Sequence, residues 1–509
     1  MASETKREIE RKYEATDGTR PPDLTRVRGV ASVRDRGVME LDAVYHDTPD
    51  LRLAADQVTL RRRTGGDDEG WHLKFPVAAG VRDEIRAPLA DALPGELAGL
   101  LRSRVRSAAV VPVVRLHSSR DVRHLLDASG GLLAELSVDT VHARRLPDGP
   151  ETSWTEIEVE LADDVEPELL DRIGKRLGKA GIRPSSDTSK VGRALAETAP
   201  DEEDDRTARP APAPPGSAGA AVLAYAREQV DVIVAFDPAV RRDLPDAVHQ
   251  LRVACRRLRS ALKTYRRVLD RKATDPLGAE LKWLAGELGG ARDQEVLDAR
   301  LRARVAELPD ALVLGPVRAR LRRRDAARAT DARRRALAAL DSDRYLDLLE
   351  RLHRLLDAPP LRKDAARAAP EVLARAVRKD HRRLADRVDR ALALAPGAER
   401  DLALHEARKA AKRARYAADA ARPTLGKPAK RLAKRVKAVQ SLLGEHQDAV
   451  VARAALRELA IEAHGAGESA FTWGLLYGRE EAAAADAARE LPRVWARARP
   501  RKAKAALTP

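Results

Sequence analysis

With a single cysteine, Cys255, in 509 residues, the chain cannot close an intramolecular disulfide. Cys255 sits among helix-forming residues and reads as inert core filler rather than as a nucleophile. Aromatic residues make up only 3% of the chain, so its cores must be built from Ala, Leu and Val, which favours closely packed helices. No run of about 18 apolar residues occurs, and no apolar signal region opens the sequence. No membrane partner is therefore expected, and the expected location is the cytoplasm.

Charge is abundant and unevenly divided. The net charge is +16, yet residues 1–200 carry 31 Lys and Arg against 35 Asp and Glu. The excess of cations lies wholly in the remainder. An acidic run, Asp201 to Asp205, and a Pro-rich stretch, Arg209 to Ser217, separate the two. The expected organisation is a first domain over 1–198, a linker over 199–217, a helical domain over 218–492 and a basic tail over 493–509.

The first domain alternates with period two. In Arg7 to Glu14, Glu8, Glu10 and Lys12 share one strand face. Two carboxylates about 7 Å apart along a strand can share one divalent cation. Locally this segment reads equally well as a solvated strand or a charged helix turn. A second acidic strand, Trp154 to Leu161, puts Glu156, Glu158 and Glu160 on one face. Basic positions lie between them: Arg61 and Arg63, Lys74, Arg86, Arg115, Arg120 and, later, Lys190. Glu135 and Asp139 add carboxylates of matching parity. Opposite charges on different strands suit a closed barrel with a charged interior, metal on one wall and polyanion oxygens on the other.

Residues 4 to 195 resemble a CYTH domain, the fold of the triphosphate tunnel metalloenzymes. The resemblance runs through Glu8-Ile9-Glu10-Arg11-Lys12, Tyr45-His46-Asp47-Thr48-Pro49, Leu60-Arg61-Arg62-Arg63, Leu73-Lys74, Glu156-Ile157-Glu158 and Ser189-Lys190. It implies an eight-stranded antiparallel tunnel that binds a triphosphate with Mg²⁺ or Mn²⁺. It assigns the metal to Glu8, Glu10, Glu156 and Glu158, and the phosphates to Lys12, Arg61, Arg63, Lys74, Arg115 and Lys190. Arg86, Arg120, Glu135 and Asp139 lie in more loosely matching segments.

The basic half repeats itself. His249-Gln250-Leu251-Arg252 through Arg256 and Arg259 aligns with His405-Glu406-Ala407-Arg408 through Lys412 and Arg415. Leu288-Gly289 with Asp293 aligns likewise with Leu443-Gly444 and Asp448. Two segments at nearly one offset indicate a duplicated helical unit, expected as two similar bundles. His249, Arg252, Arg256, Arg259 and Lys263 fall in one helical stripe, with Leu251, Leu258, Leu262 and Tyr265 opposite as the core side. An Arg-rich face can also be plain solvated surface. His446, whose counterpart is Ala291, reads as local structure.

Residues 218 to 492 resemble a CHAD domain. That resemblance implies binding of inorganic polyphosphate by His249, Arg252, Arg256, Arg259, Lys263, His405, Arg408, Lys412 and Arg415, with Lys282 and Lys437 nearby, and association with polyphosphate granules. The fold expected is multidomain: an antiparallel β tunnel barrel with helices (α+β), then duplicated all-α bundles. The expected function is metal-dependent hydrolysis of triphosphate, inorganic triphosphate first, in the barrel, with inorganic polyphosphate binding by the helical domain. Thiamine triphosphate or ATP as substrate, and a non-catalytic polyphosphate scaffold, are the alternatives. No specific nucleic-acid partner is expected, because the basic stripe lacks interleaved aromatics.

Overall fold

A computed structural model describes residues 4–187, 189–199 and 213–499. The chain divides into two compact units, Met1–Arg206 and Thr207–Pro509.

In the first unit eight antiparallel strands close a barrel: β1 (Glu4–Ala15), β2 (Ser32–Asp47), β3 (Thr59–Thr64), β4 (Gly70–Ala78), β5 (Val81–Ala87), β6 (Val111–Leu126), β7 (Leu132–Arg145) and β8 (Glu151–Leu161). Their order around the barrel is β1-β5-β4-β3-β2-β6-β7-β8. Four helices accompany them: α1 (Arg52–Ala55), α2 (Gly95–Val105), α3 (Glu168–Lys179) and α4 (Lys190–Glu197). The strict alternation decides which face each side chain takes. Leu60, Leu73 and Ile85 point outward and are covered by Leu97 and Leu101 of α2. Tyr13, Leu136, Ile157 and Val159 point outward under Leu170, Ile173 and Leu177 of α3. Charged residues of the other parity are thereby committed to the interior.

One end of that interior is apolar. Ala43, Tyr45, Val114, Leu116, Val141 and Ala143 pack with Val191 and Ala194 of α4, which stops that end. Ser189 caps α4 by accepting from the Gly192 N–H at 3.1 Å, so Lys190 is its first residue. The Tyr45 to Pro49 motif has a structural purpose. Buried Asp47 accepts from the backbone N–H groups of Thr48, Leu53 and Ala54 at 2.6, 2.8 and 2.9 Å, and so folds the chain from β2 into α1.

The second unit is helical: α5 (Ala218–Arg241), α6 (Ala247–Thr264), α7 (Arg271–Glu287), α8 (Gly289–Ala306), α9 (Val317–Leu340), α10 (Asp343–Asp357), α11 (Ala369–Ala393), α12 (Ala398–Ala420), α13 (Arg422–Leu425), α14 (Lys427–Gly465) and α15 (Phe471–Ala498). The duplication is visible as α5–α6–α7 against α11–α12–α14. The copies share one core, in which Leu251, Leu258 and Leu262 of α6 join Leu404, Ala411 and Ala414 of α12. Tyr265 donates its hydroxyl to the Ala417 carbonyl at 3.2 Å across the two copies. The copies are not identical: the second uses one 39-residue helix, α14, where the first breaks between α7 and α8.

The expected tail from 493 starts too early. α15 runs to Ala498 with Trp495 buried, because apolar residues at helical spacing continue beneath the arginines. Residues 500–509, like the acidic and Pro-rich stretch over 200–212, lie outside the described residues.

Candidate active site in the barrel and basic face of the helices

The barrel holds a cavity of about 310 Å³. β1 contributes Lys6, Glu8, Glu10 and Lys12; β3, Arg61 and Arg63; β4, Lys74; β5, Arg82 and Arg86; β6, Arg120; β8, Glu158 and Glu160. Lys190 enters from α4. Tyr45 is the one aromatic residue lining it among the described residues.

Charges inside are grouped. Toward the stopped end, Asp139, Glu156 and Glu158 offer carboxylate oxygens within 4.8 Å of one another, all buried. Lys190 Nζ lies among them, 2.9, 2.8 and 2.5 Å away in that order. Arg120 forks onto Asp139 at 2.7 and 2.6 Å and reaches Glu158 at 2.7 Å. Lys12 donates to Glu158, and the Trp154 indole donates to Glu156 at 2.7 Å. Burial opposes ionisation here, yet Arg120 and Lys190 hold Asp139 below its ordinary value, and Lys12, Lys190 and Arg120 hold Glu158 well below. Lys190 is raised in return: burial would lower it, and the three carboxylates outweigh burial.

On the β4–β5 side, Glu84 is fully buried. His72 lies 2.8 Å from it, Arg86 2.5 Å and Lys74 3.3 Å. Lys74 also donates to both oxygens of Glu8, at 2.9 and 2.6 Å. Burial raises Glu8, with Lys74 acting in opposition. Arg61 donates to the Tyr45 hydroxyl at 3.4 Å. Despite burial, Arg61, Lys190 and Lys74 hold that hydroxyl below its usual value.

Two kinds of polar group are left over. The Nε atoms of Arg61 and Arg63 are buried with no hydrogen-bond partner among the described residues. Glu10 lines the cavity and makes no hydrogen bond or ion pair there among the described residues. Lys12, Lys74 and Lys190 keep it ionised against the effect of burial. Unfilled guanidinium donors fit an oxyanion, and an ionised carboxylate without a partner fits a hard divalent cation.

Most of the expected tunnel residues thus converge: Glu8, Glu10, Lys12, Arg61, Arg63, Lys74, Glu158 and Lys190 line the cavity. Glu156 lies just behind, tied to Trp154 and Lys190. Arg115 does not belong with them. It pairs with Val44 on the outward face and forks onto Asp42 at 2.9 and 2.6 Å, half exposed. Inward residues of β6 have even numbers, Leu116 and Arg120 among them, so on this strand Arg120 and not Arg115 lines the cavity. Glu84 and Arg82 were not anticipated, although Arg82, Glu84 and Arg86 alternate on one face of β5.

In the helical unit the two repeated motifs meet each other. His405 of α12 lies 2.5 Å from Gln447 of α14, and Arg408 lies 3.6 Å from Asp448. A Cβ on Gly444 would make ordinary contact with Arg408 Nη2 at 3.4 Å, which places the guanidinium alongside α14 at this position. Lys412 is half-buried. Arg415 donates to Gln440 at 3.1 Å. In the first copy Arg252 is buried, His249, Arg256 and Arg259 are half-buried, and Lys263 is exposed. Leu251, Leu258, Leu262 and Tyr265 are in the core, as expected. The Nε atoms of Arg256, Arg259 and Arg408 have no hydrogen-bond partner among the described residues. Lys263 joins Lys379, Arg383 and Arg413 around a cavity of about 200 Å³. Burial, then Arg259 and Arg413, lower the Lys263 pKa. Lys282 and Lys437 are exposed. His446 is buried against Asp401 of α12 at 3.1 Å.

The CYTH domain model matches residues 6–194 and the CHAD domain model residues 224–457. The chain belongs to the CYTH–CHAD proteins. An uncharacterised protein of Mycobacterium tuberculosis is 40% identical over 499 residues, 95% of this chain and 94% of that protein, so the two-domain arrangement is common to both. Among solved structures, PptA from Streptomyces chartreusis gives a TM-score of 0.46 at 24% identity, covering 55% of this chain and 99% of that one. The CHAD domain of the plant Ricinus communis gives 0.45 at 27% identity, over 56% and 92%. No helix of the described residues is long and apolar enough to cross a membrane.

Proposed function

We propose that the CYTH barrel hydrolyses a linear triphosphate, inorganic triphosphate first, with a divalent cation, and that the CHAD unit binds inorganic polyphosphate. The observation that carries the first part is the pairing of unfilled donors on Arg61 and Arg63 with an unpartnered carboxylate on Glu10 in one cavity. A substrate without a base is favoured because Tyr45 alone among the described lining residues offers a ring.

Glu10, with Glu8 and Glu158, would hold Mg²⁺ or Mn²⁺ through oxygen. Such a cation supplies neutralisation of phosphate oxygens and of charge developing in the transition state. Arg61, Arg63, Lys74 and Arg120 bind and orient the phosphates. Lys12 and Lys190 keep Glu158 ionised as an acceptor. Each cation aimed at developing charge contributes roughly 10²-fold or more.

Inorganic triphosphate, thiamine triphosphate and ATP should be compared by phosphate release from the purified chain, with Mg²⁺, Mn²⁺ or chelator. Release from inorganic triphosphate is expected to be fastest, and chelator should abolish it. Glu10→Gln should lose metal-dependent turnover while melting at the parent temperature. Turnover in chelator, or by Glu10→Gln at the parent rate, would remove the metal assignment. The position of Lys190 within the carboxylate triad favours a second reading, phosphate binding without turnover. No release from any of the three substrates, together with calorimetric binding of triphosphate, would establish it.

For the helical unit, the supporting observation is the run of partly or fully exposed cations along the repeated stripes, Arg256, Arg259 and Lys263 in one copy and Arg408, Lys412 and Arg415 in the other. The cytoplasm, with polyphosphate granules as the site of association, is the location that fits this reading.

A further inference from the structure

The turn between β3 and β4, Thr64-Gly65-Gly66-Asp67-Asp68-Glu69-Gly70, brings acid to a cavity built for anions. Its backbone is held in place. Gly65 and Gly70 have φ of +82° and +148°, and a Cβ on either would strike a carbonyl oxygen, of Glu40 at 2.3 Å and of Ala87 at 2.4 Å. Glu69 accepts from the Gly65 N–H at 2.8 Å and closes the turn. His72 on β4 lies 2.9 Å from the Asp68 carbonyl oxygen.

Fixed in this way, the Asp68 carboxylate makes an ion pair with Arg63 and lies 3.8 Å from Arg86. Both arginines line the cavity, and Arg63 is buried. The carboxylate therefore stands on two of the cations that a phosphate chain would use. Asp67, next to it, also borders the cavity but is exposed and makes no ion pair with either arginine among the described residues.

We infer that Asp68 is a tethered stand-in for phosphate, which an incoming polyanion must displace from Arg63 and Arg86. This inference rests on the triphosphate reading above and concerns specificity within the same site. A carboxylate carries one negative charge and two acceptor oxygens; the terminal group of a triphosphate carries more of both and replaces it. Displacement is a constant cost for every anion that reaches Arg63. It keeps weakly charged anions from holding the arginines, and it helps a product to leave, because the carboxylate returns.

The test is calorimetric binding of inorganic triphosphate to the full chain in chelator, where neither metal nor turnover contributes. Asp68→Asn is expected to tighten binding about tenfold, equivalent to about 1.4 kcal/mol. Asp67→Asn, which removes the same charge from the same turn, should change it less than about twofold. Asp68→Ser is the second variant, in case the amide alters the turn, and should tighten binding likewise. A role confined to holding the turn would weaken binding or leave it unchanged. Unchanged or weaker binding by both Asp68 variants, or equal tightening by Asp67→Asn, overturns the inference while the triphosphate reading stands. If neither the parent nor any variant binds triphosphate, both fall together.

Discussion

Lys190 Nζ lies 2.9 Å from Asp139 Oδ2 at the stopped end of the barrel. Glu156 and Glu158 complete the contact, so the three-carboxylate group found among the described residues is already served by a tethered cation. Lys190→Gln leaves buried carboxylates without their ammonium and should destabilise the barrel by about 3–5 kcal/mol. It should also open a site that a divalent ion can fill. Thermal melting with Mn²⁺ and with chelator checks this: the variant's melting temperature should rise with Mn²⁺ more than the parent's. Equal rises would mean that Lys190 does not exclude metal from the triad.

Arg115 and Arg120 separate inside from outside. Arg115→Gln removes an exposed pair with Asp42 and should leave phosphate release within about twofold of the parent. Arg120→Gln removes a buried fork from Asp139 and Glu158 and should lower release about 10²-fold. Comparable losses in the two variants would place Arg115 in the site after all.

The helical unit should bind long-chain polyphosphate with affinity that falls steeply as salt rises. Replacing Arg252, Arg256 and Arg259 with Gln should weaken it strongly, and adding Arg408→Gln, Lys412→Gln and Arg415→Gln should nearly abolish it. Arg318, Arg322 and Arg323 on α9 are exposed and supply a control of equal charge. If the control triple weakens binding as much, bulk charge explains the effect. Melting curves of each variant show whether the fold survives the loss of buried Arg252.

Acid should destabilise the helical unit through its histidines. Burial lowers His381 and His446 below 6.5, although the Ala498 carbonyl and Asp401 respectively work against it. The unfolded chain therefore takes up protons first as pH falls. Stability is complete above pH 6.5 and is lost as pH drops through that value toward the folded-state values. Melting temperatures from pH 7.5 to 5 should show the decline, and His381→Gln together with His446→Gln should flatten it.

The strands were legible wherever alternation was strict. Glu8 to Lys12 and Glu156 to Glu160 turn in as their parity requires. β6 was harder, because Val113 and Val114 are both apolar and hide the parity, and the register with β2 shifts between Tyr45 and His46. The resemblance assigns Arg115 to the phosphates, and the alternation of β6 does not correct it, although it turns Arg115 outward and Arg120 inward. Glu84 escaped notice because cations flank it on its own face, which in sequence looks like a solvated strand. The repeat was visible, but the facing of its two motifs was not. Only packing of α12 on α14 brings His405 to Gln447.

The packing of α4 against the apolar end of the barrel stops the interior on that side. A polymer cannot thread past such a stop. Whatever is taken in must be presented by its end, and whatever is released must leave by the way the next molecule arrives. On the triphosphatase reading proposed above, a barrel stopped at one end would act on chain termini rather than on chain length: one long phosphate strand would offer it two ends, and the same phosphate as short oligomers many more.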